Sequence, residues 1–152
     1  MTIKLIYHAS GGDIDLDSAG VMQEDGWFTM VFIMLFSDRR ATEGDEIPDR
    51  SGDRRGWPGD SFFPYPIGSR LWLLSREKIV PRVQFEAEDY AREALEPLLI
   101  ENMASAVEVK GSTWQPPGLE GAREKWLRLD ITITKADGEL LPYGFSLRWE
   151  AQ

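Results

Sequence analysis

The sequence has no cysteine and only one histidine, His8, and it is short of cations, with 17 Lys+Arg against 26 Asp+Glu and a net charge of −9. Without cysteine there is no disulfide frame, thiol nucleophile, iron–sulfur cluster or zinc-thiolate site. With a single imidazole no histidine pair can hold a metal, and a Ser-His-Asp triad would have to be built on His8. The cation deficit disfavours nucleic acid and anionic membrane as partners, since both are gripped by clustered Lys and Arg. Long apolar runs are also missing. The most apolar stretch, Met30 to Phe36, is too short to cross a bilayer. The opening residues, Met1 to Asp13, lack the apolar core and cleavage site of a signal peptide. The expectation is an acidic, soluble protein made in a cytoplasm.

What is present is ample material for a core. The chain has 152 residues, 42% hydrophobic and 11% aromatic, with six Trp. A chain of that size buries roughly 68–70% of its unfolded surface, which predicts one domain over residues 1–152. Ile3, Leu5 and Tyr7 alternate with Lys4 and His8, Gly11-Gly12 interrupts, and Asp13 to Asp17 alternates again. That pattern predicts a small hairpin. Trp27 to Ser37 reads as a buried helix. Ser69 is placed to cap a short helix running to Glu77, with Leu71, Trp72 and Leu74 inward. After Pro81, Phe85, Ala87, Ala91, Ala94, Leu95, Leu98 and Leu99 recur at helical spacing. Glu86, Glu88, Arg92, Glu93 and Glu96 take the opposite face, and Pro97 is expected to kink or end the helix.

The last third alternates with period two, through Val107 and Val109, Leu127 to Ile133, and Tyr143 to Trp149, with a turn at Lys135-Ala136-Asp137-Gly138. The expected fold class is therefore α+β: an N-terminal short β pair, about three helices with a long irregular loop, then a C-terminal antiparallel meander. The loop, at about 41–67, carries Gly44, Pro48, Gly52, Gly56, Pro58, Gly59, Pro64 and Pro66, a density of breakers that no regular element survives. It also carries Trp57, Phe62, Phe63 and Tyr65, and aromatics on a polar loop need a cover from this chain or another. Loops this long are usually functional or mobile.

Three constellations invite a chemical reading. Asp13, Asp15 and Asp17 with Glu24 match the carboxylate spacing of a calcium loop, but Ser18 stands where the sharp turn wants glycine, and Ile14 and Leu16 fit a strand equally well. The helix glutamates raise the alternative of a small cell-wall glycan hydrolase, yet spacing alone shows no acid pair across a cleft, and Glu88 four residues before Arg92 suits a solvated face. His8 has no partner motif. No phosphate loop, nucleophile elbow or His-Glu metal motif occurs, so no catalytic residue, cofactor or metal is expected. The strand ending at Leu147 to Glu150 is a candidate sheet edge, able to accept a strand from another chain, while Trp149 fits core closure equally.

Two stretches, Asp53-Arg54-Arg55-Gly56-Trp57-Pro58-Gly59-Asp60 and Ile67-Gly68-Ser69-Arg70-Leu71-Trp72-Leu73-Leu74-Ser75-Arg76-Glu77-Lys78, resemble the Mu-like phage baseplate protein family. Leu35 to Ala41 and Ala91 to Leu95 add to the likeness, which spans about Asp13 to Val109. The resemblance implies an α+β wedge subunit without a catalytic task, related to the wedge and sheath-initiator proteins of contractile tails. It implies contacts with a larger wedge subunit, the hub or spike and the first sheath ring, in a hetero-oligomer of the virion tail assembled in the host cytoplasm. The wider wedge superfamily carries Glu-Pro-Arg before its β region; here Glu96-Pro97 is followed by Leu98 and the nearer spot reads Glu101-Asn102-Met103, so contacts of that arginine do not transfer. Since Trp and Arg lead binding hot spots, Arg54, Arg55, Trp57, Phe62, Tyr65 and Trp149 are the candidate partner-binding residues, with the loop expected to order on assembly.

Overall fold

The computed structural model describes residues 26–113 and 126–147 with their side chains, and the backbone of residue 114 and of six short strands before residue 26. Its frame is a three-stranded antiparallel sheet, β7 (Ala104–Trp114), β8 (Trp126–Lys135) and β9 (Leu140–Leu147), in that order. Side chains alternate across a strand, so Val109, Leu127, Leu129, Ile131, Ile133 and Phe145 are buried together on one face. Helices α1 (Trp27–Phe36) and α2 (Pro81–Ile100) share that core. The β8–β9 turn closes with Gly138 N–H to Lys135 carbonyl at 2.9 Å and Lys135 N–H to Glu139 carbonyl at 2.8 Å. Gly138 supplies the left-handed φ of 91° that this turn needs.

Helix α1 has no charged residue and touches apolar groups nearly all round. Val31 and Leu35 enter the core, and the i, i+4 row Phe28, Phe32 and Phe36 packs on Phe145, with ring centroids 6.0, 6.5 and 5.3 Å away. On α2 the buried stripe is Val83, Ala87, Ala91, Ala94, Leu95 and Leu98. Phe85 and Leu99 were assigned to the core by spacing but are exposed, because both fall off the arc that the stripe sets. Pro97 does not end the helix. Only the Glu93 carbonyl loses its N–H partner, the ring is buried, and the helix runs one more turn. Asn102, at φ 55°, then stops it: Asn102 N–H bonds the Leu99 carbonyl at 3.1 Å and Met103 N–H the Leu98 carbonyl at 2.9 Å, a Schellman closure.

The third expected helix is a correction. Residues Leu71–Leu74 form a four-residue 3-10 turn with every side chain buried. Its bonds span three residues, Leu73 N–H to the Arg70 carbonyl at 3.0 Å and Ser75 N–H to the Trp72 carbonyl at 3.2 Å, and the turn stops before the exposed Arg76 and Glu77. Ser69 accepts the Leu71 N–H at 3.3 Å, as a cap would, but its hydroxyl also donates to the Leu35 carbonyl at the end of α1. The N-terminal pair is likewise subdivided, into β1 (Thr2–Ile3), β2 (Leu5–His8), β3 (Gly11–Ile14), β4 (Leu16–Asp17), β5 (Gly20–Val21) and β6 (Gln23–Glu24), joined as β1–β6, β2–β3 and β4–β5. Gly11-Gly12 does not break a strand but pairs with Tyr7 and His8, since an antiparallel ladder needs only backbone groups. Asp13, Asp17 and Glu24 lie on strands; Asp15 and all four side chains lie outside the described residues, as does Trp149.

Candidate interaction surfaces

The two edges of the sheet are treated differently. Along β7, α2 closes the edge with side chains: Arg92 Nη2 donates to the Val109 carbonyl at 3.0 Å, and Glu88 Oε1 accepts the Gly111 N–H at 2.8 Å. Glu88 and Arg92 also pair with each other at 2.8 Å. The i, i+4 spacing was read as a solvated face; the ion pair is there, but both side chains reach down onto the edge. Gly111 eases that approach, as a Cβ would stand a tight 3.2 Å from the Gln84 carbonyl oxygen and 3.3 Å from Glu88. Along β9 no strand among the described residues pairs with the far side. Ladder bonds alternate, and counting from the Lys135–Glu139 bond turns the Pro142 nitrogen outward on this edge. One donor in mid-strand is missing, which leaves Gly144 to Leu147 as the stretch able to pair.

The long loop is irregular, as its breakers demand, apart from a 3-10 turn over Asp60–Phe62. It is nevertheless tied down. Ala41 N–H bonds the Arg54 carbonyl at 2.9 Å, Arg54 donates to the carbonyls of Thr42 and Glu43, and Asp60 accepts the Ile67 N–H at 2.8 Å. Arg55 pairs with Asp38 at 2.9 Å and lies 4.4 Å over the Trp72 ring. Trp72 in turn donates its indole N–H to the Arg39 carbonyl at 2.8 Å. The two arginines among the candidates are thus engaged within the chain.

The aromatics face the other way. Trp57, Phe63 and Tyr65 form a ridge, with centroids 5.7 Å and then 6.5 Å apart. Phe62 is 85% exposed and Trp57 38%. The Trp57 indole rests on Gly59, where any Cβ would collide with the ring. At its end the ridge meets Glu101, the residue that follows α2: burial and the neighbouring Glu101 carboxylate hold the Tyr65 phenol above its ordinary pKa.

Behind the loop runs a network of charges that sequence reading missed. Arg70 makes a two-point contact with Glu93, at 2.9 and 3.2 Å, and another with Asp45, at 3.0 and 3.1 Å. Arg39 reaches Glu93 at 3.2 Å and the Pro66 carbonyl at 2.9 Å. Arg70 also stacks 4.6 Å over Tyr90. Two cations and two anions therefore join the loop, the segment after α1 and α2. Burial opposes ionisation of Asp45, but bonds from Thr42 and Arg70 outweigh it and hold the carboxyl below its usual range. Helical spacing alone puts Glu93 on a solvated face; its partners lie at a sequence distance that such spacing cannot reveal. Glu86 pairs with Arg82 at 2.7 Å, so Glu86, Glu88 and Glu93 are each held by arginine. Among the described residues no group of His, Asp and Glu is arranged to hold a metal, and no helix is long and apolar enough to cross a membrane.

The family model described as phage protein GP46 matches residues 27–140. The chain belongs to this family. Among GP46 relatives, the baseplate protein gp46 of Escherichia phage Mu is 44% identical over 143 residues, covering 94% of this chain and 93% of that protein. The Mu-like prophage FluMu protein gp46 of Haemophilus influenzae is 31% identical over 148 residues, covering 97% and 96%. The GP46 match takes in α1, the tied loop, the charge network, α2 and the sheet as far as the start of β9.

Proposed function

We propose that this chain is a structural component of a contractile tail baseplate, of the wedge or sheath-initiator type, acting through protein–protein contacts and carrying no catalytic task. Its partners on this reading are a larger wedge subunit, the hub or spike and the first sheath ring, joined in the bacterial cytoplasm into the virion tail. The observation that carries the reading is the contrast between the sheet edges: α2 side chains close β7, while no strand among the described residues pairs with Gly144 to Leu147 on β9, a stretch able to take a strand from another chain. The Mu relative, a baseplate protein, supports it. The aromatic ridge is a second contact, and the loop's own hydrogen bonds favour one that docks already formed. No observation favours the glycan hydrolase: arginines hold Glu86, Glu88 and Glu93, and Glu96 stands exposed on the helix.

Co-expression with the neighbouring tail proteins tests the reading. The chain should co-purify in a defined wedge subcomplex, and hydrogen exchange should slow at 144–147 and across 57–65 relative to the isolated chain. Unchanged exchange in both segments, or turnover of murein by the pure protein, would reject it.

A further inference from the structure

The ridge continues onto the last turn of α2, and the charges there indicate what it meets. Ile100 is 56% exposed and Met103 also faces solvent. Beside them Glu96 and Glu101 are exposed and make no ion pair among the described residues. A helix C-terminus already carries partial negative charge, and cations, not carboxylates, are favoured there. Helix α2 has no basic residue in its last turn. This end of the molecule therefore combines apolar and aromatic surface with carboxylates that no cation among the described residues pairs, Glu101 bonding only the Tyr65 phenol, in a chain whose net charge is −9. Aromatic faces also attract guanidinium and ammonium groups.

We propose that Trp57, Phe62, Phe63 and Tyr65, with the C-terminal turn of α2, seat an arginine- or lysine-bearing segment of a neighbouring protein chain. Its cations meet Glu96 and Glu101 and its aliphatic stems lie on the aromatic ridge. This rests on the reading of the loop as an inter-subunit contact and specifies the chemistry of the partner. The surface arrives formed, because the Asp60–Ile67 and Arg39–Pro66 bonds hold the ridge before any partner binds. Little ordering cost is then added on docking.

The test uses the wedge subcomplex assembled by co-expression, with a benzoyl-phenylalanine photocrosslinker in place of Phe62. Crosslinks should map to a segment of a neighbouring protein with net positive charge. Glu96→Gln with Glu101→Gln should weaken the subcomplex by up to about five-fold per residue at low salt, the scale of exposed ion pairs, and the difference should vanish near about 0.5 M salt. Phe62→Ala should weaken it at all salt concentrations. Crosslinks to a neutral or acidic segment, or glutamine variants that assemble as tightly as the parent, would overturn the cationic partner while leaving the loop contact standing. An intact subcomplex with no crosslink from position 62 would overturn the loop contact itself.

Discussion

Replacing Glu93 by glutamine should show whether the charge network holds the loop to the body. Glu93 takes two bonds from Arg70 and forms an ion pair with Arg39, with side-chain exposures of 31% for Glu93, 19% for Arg70 and 10% for Arg39. Removing one partner of a buried pair typically costs about 3–5 kcal/mol, because the surviving charge stays desolvated. Two features reduce that figure here. Glu93 is partly wetted, and Arg70 keeps its two bonds to Asp45. Arg39 has no such reserve: it retains the Pro66 carbonyl, and its Nε has no acceptor among the described residues. We expect Glu93→Gln to cost about 2–3 kcal/mol, hence roughly 5–10 °C in Tm for a chain of this size. Thermal melts followed by far-UV circular dichroism measure it, with Glu96→Gln as the control, expected within about 0.5 kcal/mol of the parent because that carboxylate is exposed and makes no ion pair among the described residues. Adding Arg39→Met to Glu93→Gln should cost less than the sum of the single changes, since it removes the stranded cation. If Glu93→Gln melts with Glu96→Gln, the network contributes nothing and the loop is held by backbone bonds alone.

Three further outcomes are expected. Gly68→Ala should destabilise by about 3 kcal/mol or more by urea titration, since Gly68 has φ 96° and its added Cβ would strike the Ser37 carbonyl; a midpoint equal to the parent's would contradict the geometry. Asp45 is held below its ordinary pKa by Thr42 and Arg70 in spite of burial, so its contribution is fully present above the unfolded value of about 3.9 and disappears as pH falls through the folded value. Asp45→Asn should accordingly lose less stability than the parent between about pH 5 and pH 2. The Tyr65 phenol is raised by burial and then by Glu101, so its contribution is present below about pH 10 and lost as pH rises through the folded value. In Glu101→Gln the phenolate absorbance of Tyr65 should develop at lower pH than in the parent; an unmoved curve would place Glu101 away from the ring.

The regular parts of the fold were legible because their signals are local. The period-two runs in β8 and β9, the stripe on α2 and the apolar stretch of α1 each report a face toward the core, and the Asp-Gly turn stands where Gly138 needs positive φ. What failed were features settled by distant partners. Ser69 looks like a helix cap until the Leu35 carbonyl is set against its hydroxyl. Glu88 and Arg92 form the ion pair that their spacing announces, while their second role depends on Gly111 and Val109 lying below them. Phe85 and Leu99 fit a helical pattern of apolar residues, but where the arc is centred is set by the sheet beneath. The loop was recognised as irregular, and its aromatics as in need of cover; that Asp45, Arg70 and Glu93 tie it down could not be read across sequence separations of 25 and 23 residues.

The division of labour on the loop decides which candidates act outward. Trp and Arg were singled out together because both are enriched at hot spots, yet here they do opposite things. Arg54 closes the base of the loop on the carbonyls of Thr42 and Glu43, and Arg55 bridges Asp38 while covering Trp72. A guanidinium already bonded inside its own chain has little left to offer a partner, and mutating it would damage the loop before any interface. Phe62 has no such internal duty among the described residues: it projects, 85% exposed, from a turn whose backbone is held by the Phe62–Gly59 and Phe63–Asp60 bonds. An exposed ring on a rigid support loses little entropy when it enters a pocket, whereas a flexible side chain must be ordered first. Alanine in place of Arg54 or Arg55 should therefore lower Tm and assembly together, while alanine in place of Phe62 should lower assembly and leave Tm unchanged. Measuring both quantities on the same variants separates the two roles, and a fall in Tm for Phe62→Ala would show that the ring serves the fold.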